Sequence, residues 1–232
     1  MGQPVGRAAS WIWVLTIVDM PFIIYSVPVV TQPEALMGRS QTFETDRVVR
    51  AAREVFWSAG YESASVPELE RATGLSRSSI YHAFGSKRGL FDAAVQSYLD
   101  EVVRPRLRPL VADAVAPDAL AGYLTGLRAA LGRADEVQST SGCLLVNAAS
   151  APIARDAAVR RTVAAYRAEL RAALGRGVAA ALPDASGAEA DRLADACTAL
   201  VVSAFTLVRV DPASALQCLD TAVELLDASR RA

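Results

Sequence analysis

The sequence predicts an all-α protein in which a small three-helix unit precedes a larger helical domain. Apolar residues recur every three or four positions from Glu44 onward, which is the spacing of one helix face. Glycine, proline and serine residues divide this pattern into segments with start and stop signals. After Pro105 no segment shows the polar–apolar alternation of a strand. With 232 residues, 52% of them hydrophobic, the chain can bury one substantial core, or one core and a small second domain.

The charge and cysteine content exclude several classes of protein. A formal net charge of -1 argues against a generally basic protein that coats nucleic acid, so polyanion binding requires a local patch. Cys143, Cys197 and Cys218 lie far apart, and the chain has one histidine, so neither a metal site nor a cofactor is expected. We therefore expect a reduced, cytoplasmic chain.

An apolar segment opens the chain. Residues 11–30 are long enough for a membrane span, but Asp19 and two prolines within the segment argue against one. A natural start is expected at Met37. We expect residues 1–38 to be a start-site artefact or a disordered extension. A membrane anchor, or an element packed on the protein body, remains as an alternative.

The first two helices of the small unit are marked by their ends. The first runs from Glu44 to a stop at Gly60. The second begins after Ser65, which with Glu68 three residues later has the pattern of a capping box, and it ends at Gly74.

The third and fourth helices follow after a short turn. Ser76 can cap a third helix, in which Ile80 and Phe84 face inward. Gly85 ends it, and a fourth helix then continues to Pro105. Two short helices joined by a turn that contains glycine form a helix-turn-helix, here assigned to residues 39–90.

Positive charge is concentrated in this unit. Arg71, Arg77, Lys87 and Arg88 occur between positions 71 and 91 without an acidic residue. Lys87 is the only lysine of the chain and lies in the first turn of a helix, where a cation opposes the helix dipole. A phosphate bound by both the lysine and the helix end would account for its position.

The third helix has the composition of a recognition helix. Arg77, Ser78 and Ser79 lie where such a helix meets base edges, while Tyr81 and His82 can reach the DNA backbone. The alternative is a compact packing unit whose basic face is only solvated.

The segment "GLSRSSIYHAFGSKRGLF" resembles the DNA-binding domain of TetR-type repressors, and the resemblance extends over about fifty residues from Thr45. It implies an all-helical homodimer that reads a palindromic DNA operator, with a carboxy-terminal ligand-binding and dimerisation domain, here residues 91–232. It gives Tyr81 and Lys87 phosphate contacts, and places Arg77, Ser78 and His82 on the recognition helix. Ser65 and Ser79 complete the predicted DNA-binding residues. Ala83 and Gly85 depart from common family residues, which leaves the base preference open.

The larger domain is predicted to contain helices over 117–133, 138–150, 156–181, 188–209 and 213–230. The last two carry the strongest apolar stripes, and either they pair with a second subunit or they complete the monomer core. The resemblance favours the dimer. The predicted interface residues are Leu193, Cys197, Leu200, Ala204, Val208, Leu216, Leu219 and Val223.

An effector site is predicted less directly. Cys143 and Asn147 lie one helical turn apart in a segment similar to one found in a subset of TetR-type repressors, some of which use the cysteine as a sensor. Cys143 is either a packing residue or a sensor. Tyr123, Tyr166 and Phe205 complete the predicted ligand-binding residues, because pockets in helical domains combine aromatic walls with a few polar groups.

Three functions were compared on this basis. A ligand-responsive repressor, released from DNA by a small-molecule effector, agrees best with the motifs. A membrane-tethered interaction protein would depend on residues 11–30. An enzyme is not expected, since the chain has no nucleophile elbow, Walker glycine pattern or metal-spaced cluster.

Overall fold

The computed structural model describes residues 34–133 and 140–231. Within these ranges the chain is helical and contains no strand, which confirms the predicted all-α class. The α-helices are α1 (Glu34–Ser63), α2 (Val66–Thr73), α3 (Arg77–Phe84), α4 (Lys87–Tyr98), α5 (Arg104–Val111), α6 (Ala119–Leu131), α7 (Leu144–Ala149), α8 (Ala157–Ala181), α9 (Gly187–Leu207) and α10 (Pro212–Arg231). The apolar segment 11–30 lies outside the described residues. No helix within them is long and apolar enough to cross a membrane.

The amino-terminal unit is formed by α1 to α4, and α2 and α3 begin and end where the sequence predicts. Helix α1 already begins at Glu34, ten residues before the predicted start at Glu44. Gly60 breaks the helical geometry near the end of α1 with a φ of 79°. Ser65 and Ser76 cap α2 and α3 by accepting backbone N–H groups through their side chains. At Ser65 the described residues show the first bond of the predicted capping box. A complete box lies elsewhere, at Ser186 before α9.

An aromatic and aliphatic core holds this unit together. Phe56 of α1 and Phe91 of α4 are buried and meet edge to face, with ring centroids 5.2 Å apart. Leu69 of α2 and Ile80 of α3 are also buried, so all four helices contribute to one core. Full burial of each such side chain contributes about 1.5–3 kcal/mol.

The sequence predicted that the fourth helix ends at Pro105, and this prediction was wrong. A π-helical turn, Leu99–Val103, follows α4, and α5 continues the same course to Val111. Pro105 lies in the first turn of α5, where an N–H group has no partner within its own helix segment. The proline therefore causes no break, and α4, the π turn and α5 lead from one domain into the other.

The larger domain packs α6, α8, α9 and α10 around a common core. Helix α8 lies close to α5 and α6, because Gly177 leaves no room for a side chain: a Cβ there would meet Leu110 at 2.7 Å and Leu120 at 2.9 Å. The predicted helices over 117–133, 156–181, 188–209 and 213–230 agree with α6, α8, α9 and α10. Part of the predicted helix 138–150 lies outside the described residues. Within them the prediction was wrong at Gly142, where a φ of 68° interrupts the helix, and α7 begins only after Cys143.

Candidate nucleic-acid interface

Helix α3 exposes a polar face at one end of the molecule. Ile80 is buried against the neighbouring helices and fixes the rotation of α3. The predicted DNA-binding residues on this helix are all exposed: Arg77, Ser78, Ser79, Tyr81 and His82. A short helix with a single buried anchor and five exposed polar residues in its first six positions has the arrangement that enters a major groove amino end first.

The amino end of α3 is held by side chains. Ser76 Oγ accepts the Ser79 N–H at 3.2 Å and lies 2.8 Å from Ser78 Oγ. Arg77 N–H donates to Glu70 Oε1 at 2.5 Å, which joins the end of α2 to the start of α3. Arg77 extends along the helix, with its guanidinium carbon 5.5 Å from the centroid of the Tyr81 ring.

Lys87 lies in the first turn of α4, where Ser86 caps the helix. Its Nζ is 4.6 Å from the centroid of the Tyr61 ring, so a cation–π contact holds the ammonium group beside α1. Burial lowers the pKa of Lys87. The lysine is therefore restrained beside α1 by this contact.

Arg88, the next residue, is used differently. Its Nε donates to Asp92 Oδ1 at 2.9 Å, and its Nη1 lies 2.7 Å from Asp156 Oδ2. These ion pairs raise the pKa of Arg88 against the opposing effect of partial burial. Of the four basic residues identified in the sequence, Arg88 is thus neutralised by ion pairs within the protein.

The turn between α3 and α4 depends on a close backbone approach at Gly89. A Cβ at this position would lie 2.0 Å from the carbonyl oxygen of Phe84. Only glycine fits there, and it lets the end of α3 lie against the first turn of α4. The geometry that presents Lys87 beside the recognition helix follows from this contact.

Three polar contacts join the helix-turn-helix unit to the segment of the larger domain that runs from Gly142 to Asp156. Trp57 Nε1 of α1 donates to the carbonyl oxygen of Gly142 at 2.9 Å. The Ile153 N–H donates to Glu62 Oε1 at 2.6 Å. The third contact is the ion pair between Arg88 and Asp156. A further contact comes from outside this segment, where Arg209 Nη2 donates to the Ser58 carbonyl at 3.5 Å.

The predicted effector residues Cys143 and Tyr166 meet inside the larger domain. Both are buried, and Cys143 Sγ donates to Tyr166 Oη at 3.5 Å. Tyr98 and Tyr123 belong to the same cluster. The pKa values of Tyr98, Tyr123 and Tyr166 are raised, mainly by burial and to a smaller extent by the neighbouring Cys143. Their hydroxyls consequently stay protonated near neutral pH and can act as hydrogen-bond donors.

The other predicted effector residues lie apart from this cluster. Asn147 Nδ2 donates to the Ser141 carbonyl at 2.7 Å and so stabilises the turn before α7. Phe205 is buried, and its carbonyl oxygen lies against Gly142, where φ is 68° and a Cβ would approach to 2.3 Å. Both residues therefore shape the turn at Gly142.

A groove of about 590 Å³ lies between α5 and α6. Tyr123 and Arg106 line it, together with the small residues Gly122 and Gly126. Of the five predicted effector residues, the groove contains Tyr123. No group of three or more His, Cys, Asp or Glu residues that could hold a metal occurs in the described part of the chain.

The predicted interface residues fall into two groups. Within the monomer, five are buried in the core: Leu193, Cys197, Ala204, Val208 and Leu219. Burial also raises the pKa of the Cys197 thiol to about 11. The half-buried residues are Leu200, Leu216 and Val223. Leu216 points towards Gly132 next to α6.

Three residues at this site were not found by sequence reasoning: Tyr61, Glu70 and Trp57. Each makes a tertiary contact. The Tyr61 ring contacts Lys87, and Glu70 accepts the Arg77 N–H. Trp57 donates to the Gly142 carbonyl. The one signal in the sequence was that Glu70 is the last acidic residue before the basic segment. Trp57 and Tyr61 are aromatic residues in an amphipathic helix, where a core position is the usual interpretation.

Known proteins resemble this chain in sequence and in fold. Residues 48–94 match the family described as "Bacterial regulatory proteins, tetR family". The chain is 45% identical over 64 residues to the uncharacterized HTH-type transcriptional regulator YezE of Bacillus subtilis (strain 168), covering 28% of this chain and 33% of YezE. It is 30% identical over 111 residues to the HTH-type transcriptional repressor ComR of Escherichia coli (strain K12), covering 47% of this chain and 51% of ComR. The chain thus spans about half or less of these curated relatives.

The resemblance to a solved structure extends further. A cysteine mutant of the TetR family transcriptional regulator CifR, complexed with 26-bp double-strand operator DNA, is 30% identical, with a TM-score of 0.63. The match covers 77% of this chain and 95% of that one, so it includes the larger helical domain as well as the helix-turn-helix unit. The chain belongs to the TetR family of bacterial transcriptional regulators.

Proposed function

We propose that this chain is a homodimeric repressor that binds a palindromic DNA operator through α3 and α4 and is released by a small-molecule effector. The observation that carries the proposal is the exposed polar face of α3 beside the restrained ammonium group of Lys87. The CifR relative complexed with operator DNA supports the same use of this surface. The protein would act in the cytoplasm, on the bacterial chromosome, and no enzymatic activity is part of the proposal.

The exposed residues divide into two roles. Arg77, Ser78 and Ser79, at the amino end of α3, are placed to meet base edges in the major groove. Lys87, with Tyr81, His82 and Ser65, is placed to contact phosphates on either side of the groove. Phosphate contacts set affinity and its salt dependence, whereas base contacts set sequence preference.

A dimer would be formed by α9 and α10. Ala196, Leu200, Ser203 and Leu207 follow one face of α9 at intervals of three and four and are exposed or half-buried. Cys218, Thr221, Leu225 and Ala228 do the same on α10. These faces carry no charge, which is characteristic of a surface covered by another protein. Leu200 is the one predicted interface residue on these two stripes.

The groove between α5 and α6 is the proposed entrance for the effector. It leads to Tyr123, which belongs to the buried cluster around Cys143. That cluster adjoins Gly142, whose carbonyl accepts the Trp57 N–H. If the dimer has two conformations, a ligand that binds the cluster more tightly in one of them would increase the population of that conformation. The separation of the two α3 helices would change with it.

A selection from random duplex DNA on the purified full chain tests the proposal. We expect a palindrome whose half-sites lie about 34–36 Å apart, one helical turn of DNA. Arg77→Ala should change the enriched sequence, and Lys87→Ala should reduce binding to all sequences. If no sequence is enriched on the wild-type chain, the proposal fails.

The effector half of the proposal has its own test. Once an operator is known, compounds that release it can be screened, and Gly122→Trp should abolish release by filling the groove. Operator affinity should be unchanged, because Gly122 is remote from α3 and its position has open space around it. Unchanged release from this variant would place the effector elsewhere.

A further inference from the structure

Glu70 holds both sides of the turn in the helix-turn-helix. Its backbone carbonyl accepts the Gly74 N–H at 2.9 Å, in the bond that ends α2. Its side-chain Oε1 accepts the Arg77 N–H at 2.5 Å, at the first residue of α3. One residue of α2 therefore fixes where the recognition helix begins. Among the described residues, no other side chain accepts a hydrogen bond from the Arg77 N–H.

This bond occupies a group that would otherwise attract an anion. The first N–H groups of a helix have no partner within the helix, and the helix dipole favours negative charge beside them. Ser76 already serves the Ser79 N–H. Because the Glu70 carboxylate accepts the Arg77 N–H, the negative charge that the helix dipole favours at the amino end of α3 comes from the protein itself.

The carboxylate also lies at the surface proposed to meet DNA. Glu70 lines a shallow depression together with Ser76, Arg77, Ser78 and Tyr81. A DNA phosphate entering this depression would meet a like charge and an N–H group that is already bonded. A base edge with an amino group would not be repelled, because carboxylates accept hydrogen bonds from such groups.

We propose that Glu70 is a positioning residue for specificity: it anchors the amino end of the recognition helix and excludes phosphates from it, so that α3 discriminates operator from random DNA. This inference rests on the operator binding proposed above. It assigns the selectivity of the interface partly to a residue outside α3. The basic residues supply affinity, and Glu70 lowers the affinity for sequences that offer only phosphates.

Two variants separate the effect of the hydrogen bond to the Arg77 N–H from the effect of the negative charge on Glu70. Glu70→Gln keeps an acceptor for the Arg77 N–H but removes the charge, so binding to random duplex DNA should tighten by about two- to fivefold. Glu70→Ala removes both, so the ratio of operator to random affinity should fall about tenfold or more. Glu68→Gln, two residues earlier on α2, removes the same charge and should leave the ratio unchanged. Thermal unfolding of each variant checks that the chain still folds.

Hydrogen exchange at the Arg77 amide gives a measurement that does not involve DNA. Exchange should accelerate in Glu70→Ala and much less in Glu70→Gln. If the wild-type chain bound no operator while Arg77 exchange responded, the proposed function would fail and the anchor would stand. If the operator-to-random ratio stayed at the wild-type value in both Glu70 variants, or fell equally in Glu68→Gln, the inference would be overturned.

Discussion

Arg88 of α4 and Asp156, the residue that caps α8, form an ion pair between the DNA-reading unit and the larger domain, with Nη1 and Oδ2 2.7 Å apart. Asp156 also accepts the N–H groups of Ala158 and Val159. One carboxylate thus closes the start of α8 and ties it to the helix that carries Lys87. The start of α8 is therefore in direct contact with α4 at this point.

The Asp156 ion pair should make stability depend on pH. Hydrogen bonds from Arg88, Val159 and Ala158 lower the pKa of Asp156 from 3.8 to about 2. Because the folded-state pKa lies below the unfolded value, the stabilisation is present above about pH 4 and is lost as the pH falls towards 2. Urea unfolding across this range should show the difference between wild type and Asp156→Asn shrinking on acidification. In an Arg88→Gln background the pH dependence should be smaller but not absent, since both N–H groups remain.

Gly89→Ala should destabilise the helix-turn-helix. The added Cβ would lie 2.0 Å from the Phe84 carbonyl oxygen, so α3 and α4 would have to separate. We expect a loss of about 1–3 kcal/mol in the free energy of unfolding, measured by urea titration, together with weaker operator binding.

Gly126→Ala is the matched control for this substitution. Gly126 lies within α6 and has open space around its Cβ position. Alanine there should stabilise the chain by about 0.5–1 kcal/mol. Equal effects of the two substitutions would contradict the close approach at Gly89.

Trp57→Phe should weaken the junction between the domains. The substitution keeps an aromatic ring beside Tyr98, whose centroid lies 4.8 Å from that of Trp57, but removes the donor to the Gly142 carbonyl. A buried carbonyl left without its partner costs about 1–3 kcal/mol. Urea unfolding measures this loss, and a change within the error of the titration would show that the bond does not matter to stability.

Leu225→Glu should dissociate the proposed dimer. Leu225 is 39% exposed and lies on the uncharged stripe of α10. A buried, unpaired carboxylate at a subunit interface is strongly unfavourable. Sedimentation should show monomers for this variant and dimers for Val111→Glu, which alters an apolar side chain of 47% exposure on α5. Dimers of both variants would place the interface elsewhere.

The elements that depend on local signals were predictable from the sequence. The starts of α2, α3 and α4 follow from Ser65, Ser76 and Ser86, and the ends of α2 and α3 from Gly74 and Gly85. The helical class and most helix positions of the larger domain follow from the spacing of apolar residues. The end predicted at Pro105 was wrong, because a π turn shifts the hydrogen bonding so that proline fits at the start of α5.

The burial and side-chain contacts that could not be predicted from the sequence depend on which helices pack against each other. Both faces of α9 are rich in apolar residues, so the buried Cys197 and the half-buried Leu207 could not be assigned to core or surface in advance. Arg88 and Lys87 are adjacent basic residues. The spacing of Arg88 and Asp92 allows an ion pair along one helix, but the second ion pair of Arg88, with Asp156, depends on the tertiary fold. Glu70 and Arg77 are seven positions apart in the sequence, a separation at which no local rule predicts a contact.

The salt dependence of operator binding tests whether the face that carries α3 and Lys87 binds DNA, and Lys87 and Arg88 provide a matched pair of variants. Lys87→Gln and Arg88→Gln remove the same charge from neighbouring positions. We predict that Lys87→Gln lowers the slope of log affinity against log salt by about one unit for each bound subunit. Arg88→Gln should leave the slope near the wild-type value, because Asp92 and Asp156 already neutralise that arginine. Equal slopes for all three proteins, or a larger change for Arg88→Gln, would contradict the assignment of this face as the DNA interface.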